Sequence, residues 1–343
     1  MRIIIPMAGI GKRLRPHTLF TPKPLLPIAG KPIVERLVDE IMQESSAAVE
    51  EIVFIVGQFG QDVDERLLKL ASDKGAVGRI CYQPEALGTA HALSFASEYL
   101  NGEIVIAFAD TLFKTEVRID HSKDGIIWTK EVDDPRQFGV VELDAEGRIT
   151  SFVEKPEEPK SSRAIIGIYY IREAERLREE IDYVIANDIR DKGEYQLTTC
   201  LDNMRRKGST LYTADVNLWL DCGNKDNTLD TNRQILELMK ADKDLISATA
   251  RVENSRISPP CFIGEGARVK NSEIGPHVSI GAATAITDCV ITNSMIQEHT
   301  IITGKMLRNS MIGSHVTLLS KTREQAVREL SIGDFSSDIP FQA

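Results

Sequence analysis

The chain predicts a layered α/β domain with a mostly parallel sheet over residues 1–240, a short left-handed parallel β-helix over 241–320 and a tail over 321–343. Three observations carry this expectation. Up to about residue 240, short β-rich runs alternate with amphipathic stretches, the pattern of a parallel sheet covered by helices. Past residue 250, aliphatic residues recur every five or six positions, as in a triangular coil whose three faces each bury one of them. A length of 343 residues also favours more than one core, since single cores stop growing near about 250–300 residues.

The first element is the run Ile3, Ile4, Ile5, which breaks into Ala8-Gly9-Ile10-Gly11-Lys12-Arg13-Leu14. It reads as a strand delivering a phosphate cradle, because Gly9 and Gly11 free backbone amides to close on phosphate oxygens. Lys23 follows in Thr21-Pro22-Lys23-Pro24-Leu25-Leu26-Pro27, where flanking prolines predict a stiff, non-helical arm. Two fixed cations beside a glycine turn suit a polyphosphate. A dinucleotide fingerprint would need glycine where Leu14 stands and a helix where the prolines lie, and a P-loop would need Ser or Thr where Arg13 stands. The plainer alternative is a turn whose cations face solvent.

Further strands are expected at Ile52 to Val56, Ile104 to Ala107 and Ile126 to Thr129, and helices at Ile33 to Met42, Asp62 to Ala71, Thr89 to Tyr99 and Leu229 to Lys240. Ligands of open α/β sheets sit beyond the carboxyl ends of the strands, which draws attention to the glycine turn and to Asp110. The coil is marked by Ile257, Ile263, Val269, Ile274, Ile280, Ile286, Ile291, Ile296 and, after a longer gap, Leu307 and Ile312. Small residues accompany them in Ile263-Gly264, Ile274-Gly275, Ile280-Gly281 and Ile312-Gly313. A β-sandwich of short strands is the alternative. Such a stack has about four coils, and its ends and flat faces predict packing against another subunit, hence a homo-oligomer. The tail, with Ile332, Phe335, Ile339 and Phe341, is expected as a helix with a loose end or as an arm docked on a neighbour.

A net charge of −10 argues against general nucleic-acid binding, so any phosphate chemistry rests on a few local cations. Cys81, Cys200, Cys222, Cys261 and Cys289 are an odd number of widely spaced thiols without a C-x-x-C pair, as expected of reduced structural cysteines. The opening apolar run is too short for a signal peptide or membrane span, which predicts a cytoplasmic protein with no membrane partner.

Taken together, M-A-G-I-G-K-R-L and T-P-K-P-L-L-P-I-A-G-K-P resemble the opening signature of the sugar-1-phosphate nucleotidyltransferases, also called nucleoside-diphosphate-sugar pyrophosphorylases. Further segments follow in that family's order: Gln83-Pro84-Glu85-Ala86-Leu87-Gly88-Thr89-Ala90, Phe108-Ala109-Asp110, Phe138-Gly139-Val140-Val141, Glu154-Lys155-Pro156 and Trp219-Leu220-Asp221-Cys222-Gly223. The resemblance covers residues 1 to about 240 and implies a Rossmann-like nucleotidyltransferase domain. It also implies the reaction, attack by a sugar 1-phosphate oxygen on the α-phosphorus of a nucleoside triphosphate with release of pyrophosphate. Charge neutralisation and alignment do most of that work, because the attacking oxygen is already ionised near neutral pH.

By that resemblance Arg13 holds the β and γ phosphates and Lys23 the α-phosphate region, within a nucleotide-binding set of Ala8, Gly9, Gly11, Lys12, Gln83, Gly88 and Thr89. The Gln83 amide suits the N3–H and O4 edge shared by uracil and thymine, which implies UTP or dTTP, and Gly88 would admit the base. Gly139, Glu154 and Lys155 would take the sugar and its phosphate, with glucose 1-phosphate the default and N-acetylglucosamine 1-phosphate open. Asp110 and Asp221 would hold Mg2+ as two carboxylates beside substrate phosphates.

Some positions depart from the family pattern: Lys12 stands for Thr, Ala109 for Gly, and Ile166 for a polar residue near the sugar. Two other functions fit the same chain. One is a regulatory homologue that binds nucleotide sugars without making them. The other adds an acyltransferase in the β-helix with His277, His299 or His315 as base, although histidines at such positions are ordinarily solvated turn residues.

Overall fold

β1 (Arg2–Pro6) occupies the middle of a nine-stranded sheet because Ile3, Ile4 and Ile5 are apolar toward both faces and all fully buried. The computed structural model describes residues 1–241 and 245–339. Beside β1 on one side lies β2 (Glu51–Val56), followed by β3 (Val77–Tyr82), and on the other β4 (Ile104–Ala107), all parallel. The sheet is completed by β5 (Gly125–Glu131), β6 (Gly139–Leu143), β7 (Ile149–Glu154), β8 (Arg163–Ile171) and β9 (Leu211–Asp215). β8 pairs antiparallel with β4, β5 and β6, β6 with β7, and β9 runs parallel to β5.

The expected strands form, Ile104–Ala107 with the same bounds and the other three slightly longer. β3 gave little signal: it is an edge strand whose Val77 and Tyr82 are exposed, so the apolar run that betrays a central strand is missing. Helices α1 (Ile33–Glu44) and α2 (Gln61–Asp73) match their periodicity, and α3 (Thr89–Ser94) gives way to a 3-10 turn at Ser97–Tyr99. Two helices not singled out from sequence, α4 (Ala174–Ala186) and α5 (Leu197–Arg206), bury Leu177, Ile181 and Val184 on one and Leu197, Cys200, Leu201 and Met204 on the other. These spacings place each set on one face, packed into the same core as Ile4, Ile106 and Ile127.

By proximity of its Cα atoms the chain divides into two units, neither continuous in sequence. The sheet unit is Met1–Gly9 with Val34–Trp219, and the coil unit is Ile10–Ile33 with Leu220 onward. The glycine turn is therefore cut between Gly9 and Ile10, and the residues carrying its cations group with the coil.

In the coil unit, short strands stack in three parallel ladders. One runs through Arg251–Glu253, Arg268–Lys270, Ala285–Thr287, Ile301–Thr303 and Thr317–Leu319, and a second through Arg256–Ile257, Glu273–Ile274, Val290–Thr292 and Met306–Arg308. The third runs through Cys261–Ile263, Val278–Ile280, Ser294–Ile296 and Met311–Ile312. Each rung sends one aliphatic inward, so Val269, Ile286, Ile302 and Leu318 line up on one face, and Ile263, Ile280, Ile296 and Ile312 on another. Ile302 fills the gap that the spacing left between Ile296 and Leu307, and Leu318 extends the series past Ile312. This is the short left-handed parallel β-helix expected from the repeat, not a sandwich.

Two further features explain its composition. Buried hydroxyls serve the backbone at the corners: Ser272 accepts from the Cys289 amide at 3.0 Å, Ser294 from Ser310 at 3.1 Å and Ser310 from Leu330 at 2.9 Å. The glycines after the buried isoleucines lie directly under the next coil. A Cβ on Gly281 would come within 2.4 Å of the Glu298 nitrogen, and one on Gly264 within 2.8 Å of the Ala282 nitrogen.

The helix expected for the tail is replaced by two more rungs. Ser331–Ile332 pairs with Met311–Ile312, and Ser337–Asp338 with Thr317–Leu319, because Ile332 continues the inward register of Ile312. Phe341 lies outside the described residues. α6 (Lys225–Met239) begins at an Asn224 cap and is pinned by Asn232, whose Oδ1 accepts from Ser279 Oγ at 2.7 Å and from the Ala29 amide at 3.0 Å.

Candidate active site

Four parallel strands of the sheet unit end at the same edge, and their continuations carry polar or open positions. After β1, Met7 still pairs with Ile55 at 2.8 Å, and Ala8 and Gly9 follow. A Cβ on Gly9 would meet nothing within 4 Å, so the protein's own packing does not demand a glycine there. After β3, the Gln83 amide donates to Val56 at 2.8 Å, and after β4 the Ala109 amide reaches Pro6 at 3.4 Å and leaves Asp110 exposed. The parallel ladder, with β1, β2 and β4 buried inside it and β3 at its edge, fixes the strand ends from which these residues continue.

Gln83 is buried, with Nε2 3.4 Å from Nδ1 of His91, and the His91 ring stacks on Tyr195 at 6.1 Å between centroids. Burial holds the His91 imidazole below its ordinary range, which favours the neutral ring beside the amide. Gly88 turns out to be required by the protein itself. At φ +127° a Cβ would fall 2.4 Å from the Tyr195 carbonyl oxygen, and that backbone is clamped by the Tyr195 amide to Leu87 and the Ala90 amide to Tyr195, each at 2.9 Å. Thr89 is also occupied: its hydroxyl donates to Gln196 at 3.2 Å and accepts from the Leu197 amide at 2.8 Å, satisfying the start of α5. His91 and Tyr195 are thus the neighbours of Gln83 that the motif alone did not weight.

At the far end of the sheet, β6 and β7 pair so that Gly139 lies opposite Glu154. A Cβ on Gly139 would stand 3.0 Å from Glu154 Oε2, so the glycine makes room for the carboxylate. Glu154 accepts from the Thr198 hydroxyl at 3.2 Å and has Lys155 Nζ at 3.7 Å. Burial pushes its carboxyl above the ordinary range, with Lys155 and Thr198 pulling the other way. Lys155 is left-handed at φ +43°, and its amide donates to Phe138 at 3.0 Å. Phe138 meets the Trp219 ring edge-on at 5.0 Å. Glu154 and Asp110 both raise the buried Tyr169 phenol further, so the two carboxylates share that neighbourhood. Ile166 is buried within β8.

In the coil unit, Gly11 is left-handed at φ +56° and opens a single 3-10 turn, Lys12–Leu14, closed by the Leu14 amide to Gly11 at 2.9 Å. Lys12 and Arg13 are exposed on it. The prolines around Lys23 exclude an α-helix but permit a second 3-10 turn, Lys23–Leu25, in which Pro24 loses no needed donor. Lys23 is buried there, and its Cβ lies 3.2 Å from where a Cβ on Gly11 would be. Arg13 and Asp221 both border Gly223 in the same unit. A Cβ on Gly223 would stand 2.8 Å from Asp221 Oδ1 and 3.1 Å from the Arg13 guanidinium, so Gly223 leaves space for both. Asp221 also accepts from the Asn227 side-chain amide, and its carbonyl accepts from the Thr231 hydroxyl at 3.0 Å.

Among the described residues no group of three or more His, Cys, Asp or Glu side chains clusters as a metal cage. Asp110 and Asp221 are exposed oxygen donors, the chemistry that suits Mg2+ shared with substrate phosphates. Of the coil histidines, His299 and His315 are exposed turn residues that stack in parallel at 4.9 Å, and the half-buried His277 has its Nε2 2.7 Å from Glu237. All five cysteines are free and buried, with burial pushing Cys81 up to about 11 and Cys200 to about 12.

Residues 2–237 match the nucleotidyl transferase family. This chain belongs to that family. As a nucleotidyl transferase relative it is 30% identical over 248 residues to the low-salt glycan biosynthesis nucleotidyltransferase Agl11 of Haloferax volcanii, covering 69% of this chain and 66% of that one. It is 29% identical over 258 residues to the bifunctional protein GlmU of Methanococcus maripaludis, covering 74% of this chain but only 58% of that one. Among solved structures, a Bacillus anthracis protein described as a glucose-1-phosphate thymidylyltransferase, in complex with sucrose, superposes with a TM-score of 0.58 at 26% identity, covering 68% of this chain and 94% of that one. No helix among the described residues is long and apolar enough to cross a membrane.

Proposed function

We propose that this protein transfers a nucleoside monophosphate from dTTP or UTP to a sugar 1-phosphate, with glucose 1-phosphate the first candidate, releasing pyrophosphate. The observation that carries the reading is the common edge of the sheet at which Ala8, Gly9, Gln83 and Asp110 follow the ends of β1, β3 and β4, strands of one parallel ladder. Membership of the nucleotidyl transferase family supports the reaction class, and the thymidylyltransferase description of the Bacillus anthracis structure supports the pyrimidine and glucose assignments.

In this reading Ala8, Gly9, Gly11 and Lys12 line the phosphates, Arg13 draws off charge on the leaving pyrophosphate and Lys23 neutralises the α-phosphate region. Gln83 reads the base with His91 orienting its amide, while Gly88 and Thr89 keep that loop in shape. Glu154 accepts from sugar hydroxyls, Gly139 offers its amide and Lys155 meets the sugar's phosphate. Asp110 and Asp221 would hold Mg2+, which supplies charge neutralisation on the phosphates when bound. The protein would work in the cytoplasm as a homo-oligomer through its coil, with no nucleic-acid or membrane partner.

The test is pyrophosphate release with Mg2+ across dTTP, UTP, GTP and ATP against glucose, mannose, galactose and N-acetylglucosamine 1-phosphates. Turnover confined to dTTP or UTP is expected. Equal turnover with purine triphosphates would overturn the role of Gln83, and silence with retained nucleotide-sugar binding would favour the regulatory alternative.

A further inference from the structure

The segment carrying Arg13 and Lys23 has little regular structure of its own, yet it is held at both flanks by the coil unit. On one flank the Ala29 amide donates to Asn232 of α6, and Gly30 passes so close to Phe262 that a Cβ there would fall 2.1 Å from the ring. On the other flank, four residues of the coil stretch Ser331–Phe335 meet the loop. Ser331 Oγ lies 3.1 Å from Nε2 of the buried His17. A Cβ on Gly333 would stand 2.9 Å from Pro16. Asp334 Oδ2 accepts from the Thr21 hydroxyl at 3.4 Å while its Oδ1 accepts from the Ser314 amide at 2.8 Å. The Phe335 ring takes Phe20 edge-on at 5.4 Å and stacks flat on His315 at 5.0 Å, which stacks on His299.

We propose that the last coil turn, Ser331 to Phe335, is a positioning element for the phosphate loop, with Ser331, Asp334 and Phe335 as positioning residues acting on Arg13 and Lys23 through His17, Phe20 and Thr21. Two observations give this more content than ordinary packing. Phe335 takes the left-handed corner, φ +60°, that His299 and His315 take in the two coils before it at +56° and +57°, and it puts there a large apolar ring where a glycine would fit the backbone without strain. Its ring is exposed apart from these partners, so it contributes no coil core in exchange. Asp334 bridges the coil backbone and the loop with its two oxygens, tying the register of one to the place of the other. A 1 Å displacement of a substrate-gripping group costs on the order of 10²-fold in rate, so a holder outside the site has kinetic weight. The kinetic consequence rests on Arg13 and Lys23 gripping the triphosphate, as proposed above; the positional claim stands on the contacts alone.

The full chain is the material for the test. Phe335→Gly removes the ring and relieves the backbone, Asp334→Ala removes the bridge, and Asp334→Asn keeps the acceptor for the Ser314 amide while offering an NH2 that the Thr21 hydroxyl oxygen can accept. Val269→Ala weakens the buried coil core in a strand that carries none of the loop contacts. Three quantities are read: the melting temperature, the rate of tryptic cleavage after Lys12 or Arg13, and kcat and KM for the preferred triphosphate.

Phe335→Gly is expected to melt no lower than the parent, yet to be cleaved about tenfold faster, because cleavage follows the population of the opened loop. Its kcat/KM should fall by about tenfold or more, with Asp334→Ala similar and Asp334→Asn restored most of the way. Val269→Ala should melt earlier without either change. Parental cleavage and kinetics in both Phe335→Gly and Asp334→Ala would overturn the proposal, as would a Val269→Ala variant that matches them. If no triphosphate is turned over by the parent, the functional reading fails by itself, and the cleavage rates still decide the positional claim.

Discussion

The sheet unit and the coil unit hold their polar groups by different means. In the sheet, Gln83 and Asp110 are placed by backbone: Gln83 follows edge strand β3, paired parallel to β2, and Asp110 follows the fully buried β4, paired parallel to β1 and antiparallel to β8. In the coil unit, Arg13 and Lys23 lie on two 3-10 turns, and side chains of α6 and the last coil turn hold the segment from outside. A backbone-held group yields only when the strand itself is lost. A side-chain-held group can be shifted by substitutions far along the sequence, here more than 300 residues away between His17 and Ser331.

Substitutions that separate the two cases come first by size. Ile286→Ala, in the fully buried coil core, should cost about 2–5 kcal/mol of stability, measured by denaturant midpoint. If the coil holds the loop, pyrophosphate release will be lost at lower denaturant than the sheet's circular dichroism, and a single coincident transition would break the comparison. Arg13→Ala, on an exposed residue, should leave the melting temperature unchanged and lower pyrophosphate release by about 10²–10³-fold in a steady-state assay.

His17 gives a smaller and pH-bounded effect. Burial, with Lys225 nearby, lowers its imidazole to about 4, so the folded protein keeps the ring neutral where the unfolded chain would protonate it. A depressed histidine leaves stability intact above the unfolded value near 6.5 and removes it as pH falls toward 4. The full effect is about 3 kcal/mol, detectable as a flatter acid limb of stability in His17→Gln.

Glu154→Gln tests the sheet side. The raised Glu154 carboxyl means that its charged form is disfavoured in the fold, so stability falls as pH rises through its titration and the amide should be slightly more stable at neutral pH. KM for the sugar 1-phosphate should nevertheless rise by about tenfold, since an acceptor for sugar hydroxyls is weakened. A stabilised variant with unaltered KM would remove Glu154 from the sugar site. Smallest of all, Lys69→Ala breaks an exposed pair with Asp73 on α2 and should change the unfolding free energy by less than about 0.5 kcal/mol by denaturant titration.

How much of this was readable beforehand varies with the physics. The coil was legible because one inward aliphatic per rung imposes a linear period, and its one silent place, Ile302, is filled by the same residue class. The central strands were legible because burial on both faces forces unbroken apolar runs. β3 was not, since an edge strand with exposed Val77 and Tyr82 leaves no such run. The tail's two rungs were missed because the long connection between Leu319 and Ser331 interrupts the period. At the site, residue types at motif positions could be named from sequence, but the reason for Gly88 could not: the Tyr195 backbone it accommodates lies 107 residues on and is brought there by hydrogen bonds to Leu87 and Ala90.

The sequence by itself determined the elements whose signal is local or periodic: the apolar strands, the hexapeptide coil, and the glycines, cations and carboxylates of the motifs. Tertiary structure alone decided that the cations of the glycine turn group with the coil, that Gly223 opens space for Arg13 beside Asp221, and that Phe335 and Ser331 hold the loop. Those outcomes depend on which distant surfaces meet once side chains pack, and contacts between residues hundreds of positions apart leave no period and no local pattern to read.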